Sequence, residues 1–121
     1  MDLLLSTTPQ GPCSVVRVSG EIDLESAAQL GDHALTVIRD VGPRIVLDLG
    51  RVGFMDSTGL KVLLSIHRRA ELAGGELSLA ATPRPVMRVL SITGLEATFD
   101  LHDQVEDAVA AQSARTTAQD L

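Results

Sequence analysis

The sequence predicts a small, single α/β domain with a largely parallel sheet, made mixed by an antiparallel pair at one edge. Short apolar runs alternate with stretches of helical periodicity, which is typical of parallel strands joined by right-handed crossovers. Residues 45–49 form an apolar, β-branched run, the pattern of a strand buried on both faces. Only a turn separates the first two apolar runs, so they favour a hairpin, because parallel neighbours need a long crossover.

The elements of the first half follow from local signals. Residues 3–5 predict a short first strand, residues 11–12 a turn, and residues 14–19 a second strand. Asp23 is a good N-cap for a first helix, which the glycine and proline at 42–43 end. The buried stripe of that helix is expected to consist of small and apolar residues at helical spacing: Leu24, Ala27, Ala28, Gly31, Leu35 and Ile38.

The second half continues the alternation. After the strand at 45–49, the elements predicted in order are a helix to about residue 73, a strand at 77–79, a helix between 82 and 94, a short strand at 97–101 and a weak helix at 105–109. The domain is expected to span residues 1–112. The polar segment 113–121 is expected to be a frayed, flexible tail.

Composition excludes several classes of function. A formal net charge of −6 and a pI of about 4.8 argue against nucleic acid or an anionic membrane as the main partner. Two phenylalanines and no other aromatic residue leave no platform for base stacking. The single Cys13 fits a reducing compartment, and the sequence does not predict whether it is exposed. Neither a membrane-spanning segment nor a secretory signal is expected, so the domain is predicted to be cytoplasmic.

Motifs for catalysis and cofactor binding are missing. There is no GxGxxG, no GxxxxGK[ST] and no paired-cysteine spacing, so no cofactor or metal site is predicted. His33, His67 and His102 fall in different predicted elements and are interpreted as surface or helix-flank residues. Glu21 and Asp23 could imitate an acid–base pair, but a helix cap at Asp23 and a solvated carboxylate at Glu21 explain them better.

The most informative stretch is Asp56-Ser57-Thr58-Gly59, at the junction between the buried strand and the second helix. In an open α/β sheet, ligands and partners collect at the carboxyl ends of the strands. Asp56 or Ser57 would cap the helix, and Gly59 would allow close packing. A helix needs only one cap, so hydroxyls are left free to face a partner. Ser57 lacks a GxSxG elbow, and we therefore expect no enzyme.

A hydroxyl at this junction suits a phosphorylation switch. A phosphate would add about −1.5 to −2 charges beside Asp56, and a helix N-terminus tolerates such an anion. A partner surface fitted to a neutral hydroxyl would instead have to desolvate an unpaired dianion, which costs several kcal/mol. Leu60 and Leu64, beside the core stripe of the second helix, either widen its buried face or supply apolar area to a docking surface.

Three segments carry a resemblance to a known family. GEID at 20–23, IVLDLGRVGFMDSTGL at 45–60 and SITGL at 91–95 resemble the STAS family of sulfate transporter and anti-sigma factor antagonist domains. The sequence is similar in particular to the free-standing bacterial anti-sigma factor antagonists, from roughly residue 3 to 110. The resemblance implies a mixed five-stranded sheet with about four helices packed mainly on one side.

The resemblance also implies a mechanism. Family antagonists bind an anti-sigma factor that is an ATP-dependent serine kinase, and so release a sigma factor. The kinase phosphorylates the serine after the family's aspartate, which is Ser57 here, and a serine phosphatase restores binding; Thr58 offers a second, less favoured hydroxyl. The expected partner contacts lie in the GEID segment, at the junction and on the helix that follows it. They are Glu21, Asp23, Asp56, Ser57, Thr58, Gly59, Leu60 and Leu64.

Two alternatives stay open at this stage. One is a STAS scaffold that binds its partner constitutively and is not a kinase substrate. The other is a sensor of a small ligand or nucleotide that uses a pocket beside the Asp56 loop. A sensor would be stabilised by its ligand alone, whereas a scaffold would bind its partner regardless of charge at Ser57.

Overall fold

The computed structural model describes residues 2–120, with side chains up to residue 116. Within them, the elements in chain order are β1 (Leu4–Gln10), β2 (Cys13–Ile22), α1 (Ala27–Asp40), β3 (Arg44–Met55), α2 (Ser57–Leu72), β4 (Glu76–Ala80), α3 (Arg84–Thr93), β5 (Asp100–His102) and α4 (Val105–Asp120). The five strands form one sheet in the order β1-β2-β3-β4-β5. β1 is antiparallel to β2, and the other pairs are parallel. The predicted mixed α/β fold is confirmed.

The two faces of the sheet carry unequal cores. Alternate residues of β3 point to opposite faces, so Ile45 and Leu47 join the larger core and Val46 the smaller one. The larger core is formed with α1, α2 and α3, which contribute residues such as Leu30 and Leu63. α4 alone covers the other face within the described residues. The expectation of helices mainly on one side is therefore confirmed.

The predicted start of the first helix was wrong, and its predicted buried stripe was right only in part: Ala27 is buried and Ile38 packs against the core. α1 begins at Ala27, and Asp23 instead closes a turn before it by accepting hydrogen bonds from the N–H groups of Glu25 and Ser26, each at 3.1 Å. Because the helix starts four residues later than the assumed cap, Leu24 is 76% exposed. Ala28 is exposed as well. The buried residues of α1 are Ala27, Leu30, Ala34 and Val37.

The last helix continues past the predicted domain end at residue 112. Gln112 is completely buried, and its side-chain amide donates to the carbonyl oxygen of Ile45 at 3.0 Å and to Ser78 Oγ at 2.9 Å. Residues 113–116, which were expected to belong to a flexible tail, continue α4; residue 121 lies outside the described residues. The helix extends this far because the hydrogen bonds of Gln112 hold α4 on the sheet, and a periodic pattern of apolar residues does not reveal such contacts.

One turn further along, Arg115 joins α4 to the sheet. Its guanidinium contacts Glu76 at 2.7 Å and Asp100 at 2.9 Å. Asp100 also accepts hydrogen bonds from Ser78 Oγ at 2.6 Å and His102 Nε2 at 2.9 Å. Burial opposes ionisation of Asp100, but these hydrogen bonds and the positive charges of His102 and Arg115 outweigh it and hold the pKa of Asp100 below its ordinary value.

This network predicts a specific acid sensitivity. A carboxyl whose pKa is lowered in the folded state stabilises the fold above its unfolded pKa, and that stability is lost as the pH falls through the folded pKa, below about 4. We expect Asp100→Asn to be less stable than the parent protein at pH 7 and to lose less stability on acidification. Urea unfolding at several pH values measures this. The exposed Asp103→Asn should keep the parent's pH dependence, and an unchanged dependence in Asp100→Asn would contradict the assignment.

Candidate functional site

The candidate site lies where β2 and β3 end together. The strands are parallel, and their last residues pair as Glu21 with Phe54 and Ile22 with Met55. The N–H of Asp56 then donates to the carbonyl oxygen of Ile22 at 3.2 Å. The loops that follow the two strands are thus held side by side at the carboxyl edge of the parallel part of the sheet, where ligands and partners collect in open α/β sheets.

Asp56 alone caps α2. Its backbone is extended, and Oδ1 accepts hydrogen bonds from the N–H groups of Thr58 at 2.9 Å and Gly59 at 3.1 Å. Two of the unpaired N–H groups at the helix start are satisfied in this way. The Ser57 hydroxyl is not needed as a cap, and it has no hydrogen-bond partner in the part of the chain that the structure describes.

The two hydroxyls at the junction differ in accessibility. Ser57 is the first residue of α2 and is exposed, whereas Thr58 is half-buried. A kinase must reach the attacking oxygen from solvent, so the geometry favours Ser57. Asp56 is also half-buried, and its carboxylate is directed to the backbone of the first helical turn.

Two of the predicted partner contacts lie inside the fold. Gly59 is buried, and a Cβ at its position would lie 2.6 Å from Met55 Cγ and 2.8 Å from the carbonyl oxygen of Ile22. Leu60 is 6% exposed and belongs to the larger core. Both residues were expected to contact a partner, but the structure buries them, because α2 packs its first turn tightly on the end of β2.

The remaining predicted contacts are accessible. Glu21 is exposed and Asp23 half-buried. A hydrogen bond from the Ser26 hydroxyl and two more from backbone N–H groups lower the pKa of Asp23, so it presents a charged carboxylate. Leu64 is half-buried, two turns along α2 from Ser57, and lines a groove between α1 and α2.

Two exposed apolar side chains near this edge were not predicted. Leu24 follows Asp23 directly and is 76% exposed, and Phe54 is 46% exposed beside Glu21. Strand alternation was a signal for Phe54, because it places this residue on the opposite face from the buried Met55. No signal marked Leu24 once the helix was assumed to begin at Asp23.

The histidines do not come together. His33 contacts Thr7, His67 contacts Glu71, and His102 contacts Asp100. Among the described residues, no group of three or more histidine, cysteine or acidic side chains could hold a metal ion. In the same part of the chain, no helix has the length and apolar character needed to cross a bilayer.

The exposure of Cys13, which the sequence left open, is now defined. The residue is 3% exposed, and burial raises the pKa of its thiol. Its Sγ donates a weak hydrogen bond to Gln112 Oε1 at 3.6 Å. Cys13 thus belongs to the contact between the sheet and α4, away from the Ser57 edge.

A comparison with protein families decides the classification. The model of the STAS domain matches residues 5–108, nearly the whole chain. The chain belongs to the STAS domain family. The resemblance inferred from the three sequence segments is therefore confirmed.

Relatives and solved structures agree with this assignment. The STAS domain is 33% identical over 94 residues to the anti-sigma-B factor antagonist of Bacillus subtilis, covering 78% of this chain and 85% of that protein. A crystal structure of an anti-sigma factor antagonist from Mycobacterium paratuberculosis superposes with a TM-score of 0.82 at 33% identity, covering 91% and 93% of the two chains. The phosphorylated form of SpoIIAA, a Bacillus cell fate determinant, superposes with a TM-score of 0.68 at 27% identity, covering 90% and 97%.

Proposed function

We propose that this STAS domain is an anti-sigma factor antagonist switched by phosphorylation of Ser57. Unphosphorylated, it binds an anti-sigma factor with serine kinase activity and so releases a sigma factor; phosphorylated, it does not bind until a serine phosphatase removes the phosphate. The observation that carries the proposal is the exposed, unpartnered Ser57 hydroxyl at the edge where Asp56 already caps the helix. Such partners act on transcription, which places the domain in the cytoplasm.

The domain is a substrate in this reaction and not a catalyst. Ser57 Oγ attacks the γ-phosphorus of ATP bound to the kinase, an O–P bond forms, the bond to the β-phosphate oxygen breaks, and ADP leaves. The hydroxyl proton goes to a base of the kinase. Ser57 Oγ forms no hydrogen bond with any described residue, and the Asp56 carboxylate is bound to backbone N–H groups, so no base of the domain is aligned on that oxygen.

The local geometry explains why phosphorylation should alter binding and not folding. Asp56 already accepts hydrogen bonds from the N–H groups of Thr58 and Gly59, so these groups are not free to bind a phosphate on Ser57. Because Ser57 is exposed, its phosphate would extend into solvent. It adds its charge to an edge that already carries the carboxylates of Glu21 and Asp23. The partner therefore meets a strongly anionic surface in place of a neutral hydroxyl.

Phosphorylation by the cognate kinase tests the proposal. Incubation with the anti-sigma factor kinase of the same organism and ATP should add one phosphate, located by peptide mass spectrometry. Ser57→Ala should abolish labelling, and the neighbouring Thr58→Ala should leave it intact. Labelling of Ser57→Ala at Thr58 would refute the site. Stable binding to the anti-sigma factor with no labelling of any variant would indicate a constitutive scaffold.

A further inference from the structure

The outer groove between α1 and α2 has an apolar lining. Its volume is about 1000 Å³, and half-buried Leu35, Ile38 and Leu64 contribute to its walls. Leu72, at the end of α2, also lines it and is 75% exposed. Along α2 the lining extends from Lys61, one turn after Ser57, to Leu72 at the end of the helix.

The same groove is rich in positive charge. Lys61, Arg68 and Arg69 line it, and all three are exposed. None of them forms an ion pair or a side-chain hydrogen bond with any described residue. Arg39 also lines the groove but is bound to Asp40 at 2.8 Å. No acidic side chain contributes to the lining. In a chain with a net charge of −6, the groove is therefore a locally cationic surface.

We propose that the groove docks an acidic amphipathic helix of a partner protein. The apolar walls would receive side chains spaced at i, i+4 and i+7, and the unpaired cations would bind carboxylates on the flanks of that helix. Nucleic acid fits less well, because half of the lining is apolar and no aromatic side chain is available for stacking. An anionic bilayer fits less well, because the acidic remainder of the surface would be repelled.

A synthetic peptide tests the proposal with the intact protein. The probe is a helix of about four turns with leucine at i, i+4 and i+7 and glutamate elsewhere. We expect amide chemical shifts to change along α1 and α2, and fluorescence anisotropy to show saturable binding. Arg68→Glu combined with Arg69→Glu should weaken binding by at least about tenfold. Arg84→Glu combined with Arg88→Glu makes the same charge change on the exposed side of α3 and should alter affinity by less than about twofold.

Several outcomes would overturn the proposal. These are equal binding of a matched peptide with lysine in place of glutamate, shift changes confined to other elements, and absence of binding. Binding of phosphatidylserine vesicles or duplex DNA that depends on Arg68 and Arg69, without peptide binding, would assign the groove to a different partner. The assay contains no kinase and no ATP, so its result is independent of the function proposed for Ser57.

Discussion

Ser57→Asp is expected to lower the affinity for the anti-sigma factor at least about a hundredfold and to leave the melting temperature within about 2 °C of the parent value. Each tenfold loss in affinity corresponds to about 1.4 kcal/mol, and placing an unpaired carboxylate in a complementary interface costs several kcal/mol. The fold should tolerate the change, because the Ser57 side chain is exposed and has no partner among the described residues. A negative charge in a first helical turn is also favourable by a few tenths of a kcal/mol.

Calorimetry of binding and thermal unfolding of the same samples check this prediction. Ser91→Asp introduces the same charge at an exposed position of α3 and should bind like the parent protein. Ser57→Ala should also bind, because it removes the phosphate acceptor without adding charge. Equal affinity of Ser57→Asp and the parent protein would leave the scaffold interpretation standing, and a large loss of stability would show that Ser57 has a structural role.

The junction was predictable because its determinants are local. The apolar run at 45–49, the cap residue Asp56 and the small Gly59 follow one another in the chain, and each acts on its neighbours. The sequence could not place Leu60, however. Its spacing on α2 allowed both a buried and an exposed side chain, and the choice depends on how closely the first turn of α2 packs on Ile22.

Long-range polar contacts account for most of what could not be predicted. The extension of α4 past residue 112 depends on Gln112, whose partners lie 67 and 34 residues away along the chain. The start of α1 depends on whether the helix begins after Asp23 or after Ser26, and the hydroxyl of Ser26 organises a turn around Asp23 in place of a helical turn. Neither interaction produces a periodic pattern of residues from which it could be predicted.

Gly59→Ala is expected to destabilise the domain by about 3 kcal/mol, which corresponds to a fall of roughly 10 °C in melting temperature. The new methyl group would lie 2.6 Å from Met55 Cγ, 2.8 Å from Ile22 Cγ2 and 2.8 Å from the carbonyl oxygen of Ile22. That oxygen also accepts the hydrogen bond from the N–H of Asp56, so the backbone cannot move away without losing it. Alanine's better helix propensity offsets only about 1 kcal/mol of the strain.

Thermal and urea unfolding measure this effect, with Gly53→Ala as the matched control. Gly53 is an exposed residue of β3 with no atom within 4 Å of an added Cβ, so the same substitution there should leave stability unchanged or raise it slightly. Gly59→Ala should also weaken partner binding, because the start of α2 must shift relative to the loop that carries Asp23. If Gly59→Ala proved as stable as Gly53→Ala, the close approach of α2 to the end of β2 would be incorrect, and the position of Ser57 with it.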